Sequence, residues 1–144
     1  MLILLVRQEE EKLRELRSFT ETCYPGSEIM AFTDGAEALA YIRAWQMPID
    51  LCITEVEMPG VTGFDLTRAL REKDGRTKTA FIADCRDHAL AARNARVDDY
   101  LIEPVTAVSV WHTIRNCEPF LSGYVGARQD LFRMEDYLAQ CGYL

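Results

Sequence analysis

The chain predicts a doubly wound α/β domain: a parallel sheet of five short strands with helices on both faces. Three observations carry this. Short apolar runs alternate with amphipathic stretches along the first 116 residues. The runs have the length of buried strands, and the stretches between them repeat their apolar residues at helical spacing. A strand–helix alternation of this kind returns each strand parallel to the last, with near-universal right-handed crossovers.

Each element follows from local residues. Leu2–Val6 is a continuous apolar run, the pattern of a strand buried on both faces. Glu9 to Cys23 carries Leu13, Leu16 and Phe19 at helical spacing, and Pro25-Gly26 stops it. Glu28–Phe32 is a short second strand. Asp34 can cap a helix carrying Ala38, Leu39, Ile42 and Trp45, and Pro48 ends that connection. Leu51–Thr54 is a third strand, and the turn Met58-Pro59-Gly60 leads to a helix from about Phe64 to Glu72. Thr79–Ala83 is the fourth strand, and an Ala-rich helix is expected from His88 to Ala95. Tyr100–Ile102 is the fifth strand, Pro104 ends it, and Ala107–Asn116 is the fifth helix.

Composition bounds the function. The 144 residues suit one compact domain. Sixteen Lys and Arg against 23 Asp and Glu give a formal charge of −7, which argues against a broad basic nucleic-acid face and against docking on an anionic membrane. No apolar run approaches the roughly 20 residues of a membrane span, and the apolar start is too short for a secretory signal. Cys23, Cys52, Cys85, Cys117 and Cys141 are scattered, with no CxxC pair, and read as reduced thiols of a cytoplasmic protein. There is no P-loop, GxSxG or GxGxxG motif.

In a sheet of this class, chemistry gathers at the carboxyl ends of the strands. These ends carry Arg7 and Gln8 after the first, Glu55 after the third, Ala83 and Asp84 after the fourth, and Glu103 after the fifth. Around them the sequence resembles the receiver domain of bacterial response regulators over about Met1 to Asn116. Four fragments carry the resemblance: the opening LILLVRQEE, the stretch FTDGAEALAYIR, the loop DLCITEVEMPGVTG from Asp50 to Gly63, and DDYLIEP from Asp98 to Pro104. The resemblance implies the flavodoxin-like strand order 2-1-3-4-5 and a role in two-component, or phosphorelay, signalling.

It also implies a chemistry that these residues do not supply. A typical receiver accepts a phosphoryl group from a histidine kinase on an Asp after strand three. An acidic pair after strand one helps to hold Mg²⁺, and a Thr or Ser and a Lys after strands four and five bind the phosphoryl group. Here the acidic pair is replaced by Arg7 and Gln8, the phosphoacceptor position holds Glu55, the hydroxyl position holds Ala83 and the Lys position holds Glu103. Tyr100 keeps the family's switch aromatic, and Pro104 keeps its proline, often preceded by a cis peptide. Mg²⁺ wants about six oxygen ligands, and an Arg beside the site repels it. Glu is a methylene longer than Asp, and a misplacement of about 1 Å can cost on the order of a hundredfold. The Mg²⁺ site is therefore expected to be lost and the usual Asp/Mg²⁺ route closed.

The positive charge has moved from the fifth strand to the first. Arg7 is expected to pair with Glu55, Glu103 or both, where metal and lysine otherwise sit. Glu55 has two readings: a fixed negative charge that mimics phosphorylation, or a carboxylate that merely pairs with Arg7. An inward Tyr100 would favour the first, and an outward one the second.

The remaining features have plain readings. His88 and His112 are too isolated for a metal or catalytic pair and read as surface or boundary residues. Cys52 reads as a small core residue and Cys85 as a thiol near the strand-four end. Residues 117–144 form an extension beyond the receiver-like residues 1–116. Arg128 to Cys141 looks helical, with Leu131, Met134, Leu138 and Cys141 on one face, suited either to docking on the domain or to dimerisation.

The reading is thus a receiver-like interaction module, not an enzyme and without cofactor. Its partner would be a histidine kinase, an output domain or another signalling protein. A homodimer would form through the face of the fourth helix, fifth strand and fifth helix, or through the C-terminal helix. The rival readings are a working receiver that takes phosphate at Glu55 or another site, and an unrelated ligand binder on the same fold.

Overall fold

The computed structural model describes residues 1–84 and 95–117. In chain order the elements are β1 (Leu2–Val6), α1 (Glu10–Cys23), β2 (Glu28–Phe32), α2 (Gly35–Ala44), β3 (Leu51–Glu55), α3 (Gly63–Lys73), β4 (Lys78–Ala83), β5 (Asp99–Ile102) and α4 (Ala107–Asn116). All five strands are parallel, in the order β2-β1-β3-β4-β5. No helix among the described residues is long and apolar enough to cross a membrane.

Strand alternation builds two core layers. On one face Ile3 and Leu5 of β1 pack with Leu13 and Leu16 of α1 and with Val110, Trp111 and Ile114 of α4. On the other, Leu2, Leu4 and Val6 pack with Ala38 and Ile42 of α2 and Leu66, Ala69 and Leu70 of α3. Every residue of β1 is buried, as its unbroken apolar run requires, whereas edge strand β2 has its residues half-buried or exposed. Full burial of one such aliphatic side chain is worth roughly 1.5–3 kcal/mol, so the central strands carry much of the stability.

Several boundaries differ from the sequence expectation for identifiable reasons. Helix α3 begins at Gly63 rather than Phe64 because Thr62 and Asp65 form a reciprocal capping box. Trp45 is the C-cap of α2 rather than a helical residue, and it stacks on Tyr41 at 5.2 Å. That helix end is closed by Lys73 of α3, whose Nζ donates to the Ile42 carbonyl at 2.6 Å and the Arg43 carbonyl at 3.3 Å. Of the helix expected at His88–Ala95, residues 88–94 lie outside the described residues and Ala95 sits in a turn. Cys85, His88, Cys141 and the helix expected at Arg128–Cys141 also lie outside them. His112 is exposed and Cys52 fully buried, and burial pushes the Cys52 thiol up to about 12.

The register aligns the strand ends that matter. Val6 lies beside Thr54, Glu55 beside Ile82, and Ala83 beside Ile102. At the opposite edge two aspartates anchor neighbouring strands. Asp50 accepts from the Leu2 N–H at 2.8 Å, and Asp98 accepts from the Thr79 N–H at 2.9 Å.

Candidate functional site

The carboxyl ends of β1, β3, β4 and β5 bring the expected residues together. Arg7 follows β1, its backbone N–H donating to the Phe32 carbonyl at 3.1 Å, and its side chain is only 3% exposed. A buried guanidinium needs a counter-charge. Arg7 finds it in Glu103, to whose Oε1 its terminal nitrogen donates. Lys12 of α1 approaches the same oxygen, with Nζ at 3.6 Å. The Arg7 Nε is buried without a hydrogen-bond partner among the described residues.

Glu55 is held differently. Its Oε1 accepts from the backbone N–H of Gln8 at 2.6 Å, and the Gln8 side-chain amide donates to the Glu57 carbonyl at 2.8 Å. No ion pair joins Arg7 to Glu55 among the described residues. Of the two partners expected for Arg7, the geometry selects Glu103. The reason is the short reach from the β1 exit to β3: the turn at Gln8 presents an N–H that satisfies Glu55 without a side-chain cation.

Charge at this edge has further contributors. Burial raises the Glu103 carboxyl, but hydrogen bonds from Asp84 and Arg7 and the charges of Arg7 and Lys12 outweigh it and hold the group below its ordinary range. For Asp84 the shift is upward, because of its hydrogen bond with Glu103 and then the Glu103 charge. The sequence reading named Asp84 as a strand end but gave it no role, and it missed Lys12. The signal for Lys12 was its place in the first turn of α1, next to the exit of β1.

The switch positions are also placed. Ala83 and Tyr100 are half-buried and both pack against Val56 and Phe81, with Phe64 and Val97 around them. The Glu103–Pro104 peptide is cis. Behind the site, Gly63 opens α3 directly against β3: a Cβ at this position would lie 2.6 Å from the Glu55 carbonyl oxygen.

The family profile of the response regulator receiver domain matches residues 3–115. The chain belongs to the response-regulator receiver family. This receiver is 32% identical over 112 residues to the virulence sensor protein BvgS of Bordetella pertussis, covering 72% of this chain and 9% of that protein. It is 37% identical over 79 residues to the chemotaxis protein CheY of Pseudomonas aeruginosa, covering 51% of this chain and 61% of CheY. The chain therefore spans about a tenth of the length of the curated relatives it first matches. Among solved structures, the response regulatory domain of mrkE from Klebsiella pneumoniae aligns with a TM-score of 0.74 at 19% identity, covering 86% of this chain and all of that one. A receiver domain from Clostridium thermocellum aligns with a TM-score of 0.71 at 23% identity, covering 84% and 96%. At these identities the likeness speaks for the fold.

Family membership implies Mg²⁺. A hard divalent cation needs converging oxygen ligands. Where the family's acidic pair stands, this chain places a buried guanidinium and a neutral amide, and that amide already covers the Glu57 carbonyl. Among the described residues no group of three or more His, Cys, Asp or Glu side chains is placed to hold a metal ion.

Proposed function

We propose that this chain is an atypical receiver of two-component signalling. It does not take a phosphoryl group by the Asp/Mg²⁺ route, and it acts as a protein-interaction module. The observation that carries this reading is the pairing of the buried Arg7 with Glu103. It puts an acceptor, and a spent one, where a receiver needs a free cation to bind the phosphoryl oxygens. An incoming phosphoryl group would meet Glu55, Glu57, Asp84 and Glu103, while the cations Arg7 and Lys12 are already engaged with Glu103. At close range like charges of this kind cost several kcal/mol in a partly dry setting. Glu55, accepting from the Gln8 N–H, reads as a structural carboxylate rather than a mimic of the phosphorylated state.

In this reading the chain has no catalytic activity and no cofactor of its own. Its partner is a histidine kinase, an output domain or another signalling protein, met by surface complementarity. Incubation with acetyl phosphate and Mg²⁺, followed by intact-mass measurement, tests the reading. The mass is expected to stay unchanged. A gain of one phosphoryl group that hydroxylamine removes would overturn it in favour of acceptance at Glu55 or another carboxylate.

A further inference from the structure

Resting on that reading, we propose that Arg7 is a positioning residue that acts through Glu103 as a built-in counter-ion: it ties the exit of β1 to the exit of β5 and holds the loop before α4 in one arrangement without metal or phosphoryl group. Three ties converge on the turn after β1. Arg7 reaches across the sheet to Glu103, with the guanidinium 3% and the carboxylate 21% exposed. The Gln8 N–H fastens the Glu55 side chain at 2.6 Å, and the Gln8 amide fastens the Glu57 carbonyl at 2.8 Å. Loops that lie on different strands are thereby joined by the chain's own groups.

Glu103 has a mechanical consequence because of where it stands. It lies just before Val105 and Thr106, and Thr106 caps α4 by accepting from the Ser109 N–H at 3.1 Å. Val105, Thr106 and Ala107 form one wall of a cleft whose other wall is α1, through Glu11, Arg14 and Phe19. Lys12 stands on α1 and approaches Glu103 at 3.6 Å, so the same carboxylate ties both walls. Low local dielectric strengthens the Arg7 tie, and burial of the guanidinium makes its release costly. The spacing of α1 against the loop therefore follows from the Arg7–Glu103–Lys12 arrangement.

Amide hydrogen exchange on the full chain tests this. In Arg7→Met, exchange at residues 103–108 is expected to rise about tenfold, while the loop at residues 74–77, at the opposite edge of the sheet, keeps wild-type exchange because it opens locally. The charge-swapped Arg7→Glu/Glu103→Arg protein is expected to recover most of the loop protection. Should Arg7→Met fail to fold, Lys12→Met serves in its place, because Lys12 is 47% exposed, with an expected rise of about threefold at the same amides. Unchanged exchange at residues 103–108, or an equal rise at residues 74–77, would overturn the tie. The two experiments fail separately. A phosphoryl gain with the expected exchange pattern sinks the proposed function alone, and an unchanged mass without that pattern sinks the tie alone.

Discussion

Replacing Gly63 by Ala reverses the sign that helix propensity alone would give. In a helix, Gly→Ala is ordinarily worth about 1 kcal/mol in favour of the folded state. At Gly63 the added methyl would lie 2.6 Å from the Glu55 carbonyl oxygen, 3.2 Å from the Val56 Cα and 3.2 Å from the Phe81 ring. The first distance is roughly 0.7 Å short of an ordinary C···O approach. Neither side can yield easily. The Gly63 N–H donates to the Val56 carbonyl at 2.9 Å, and Thr67 bonds the Gly63 carbonyl at 2.9 Å, so the start of α3 is pinned where it is. Phe81 is fully buried and in edge contact with Phe64 at 5.0 Å. Overpacking of this kind costs about 2–3 kcal/mol, which leaves a net loss of about 1–2 kcal/mol. Urea unfolding followed by circular dichroism reads the loss as a lower midpoint at unchanged slope. Gly75→Ala is the control. Nothing lies within 4 Å of its Cβ position and its φ is not left-handed, so it is expected to stabilise by about 0.4–1 kcal/mol. A Gly63→Ala protein as stable as wild type, or two variants shifting in the same direction, would refute the packing argument.

Two further outcomes follow from the charges at the strand ends. Arg7→Met leaves Glu103 with Lys12 as its one nearby cation among the described residues and is expected to cost about 2–3 kcal/mol, less than a fully buried pair because Glu103 is 21% exposed. Arg7→Met/Glu103→Leu should recover most of that, and a coupling below about 0.5 kcal/mol in the double-mutant cycle would show that the pair is energetically idle. Stability should also fall in acid. Glu103, Asp65 and Asp74 are all held below their ordinary carboxyl values of 4.5, 3.8 and 3.8, so each contributes stability above its unfolded pKa that is lost as pH drops through its folded one. Asp84, held above 3.8, works in the opposite sense: its contribution is present below that value and is lost as pH rises through its folded pKa. The urea midpoint of Glu103→Gln is accordingly expected to converge on that of wild type as pH falls below about 4, and a gap that widens would contradict the assignment.

What the sequence determined by itself was the order and class of the elements, because these depend on local periodicity and on burial. The unbroken run Leu2–Val6 had to be a strand covered on both faces, and the spacing of Leu13 and Leu16 had to turn one side of α1 to the core. The candidate site was legible for the same reason. Once the strands were placed, Arg7, Gln8, Glu55, Ala83 and Glu103 had to meet at one edge. The tertiary structure alone decided how they meet. Arg7 and Glu103 are 96 residues apart, and their pairing depends on sheet order and register, which no local pattern records. Glu55 was a reasonable partner for Arg7 until the turn after β1 presented the Gln8 N–H to it. Lys12 joined the site because packing of Leu13 and Leu16 sets the rotation of α1. Gly63 only closed a fragment that carries the resemblance, and the approach of α3 to the Glu55 carbonyl showed that a side chain there has no room. Side-chain pattern reports which face of an element is buried. Which groups of different elements touch is set by packing distances of a few tenths of an ångström, and those exist only once the whole domain has closed.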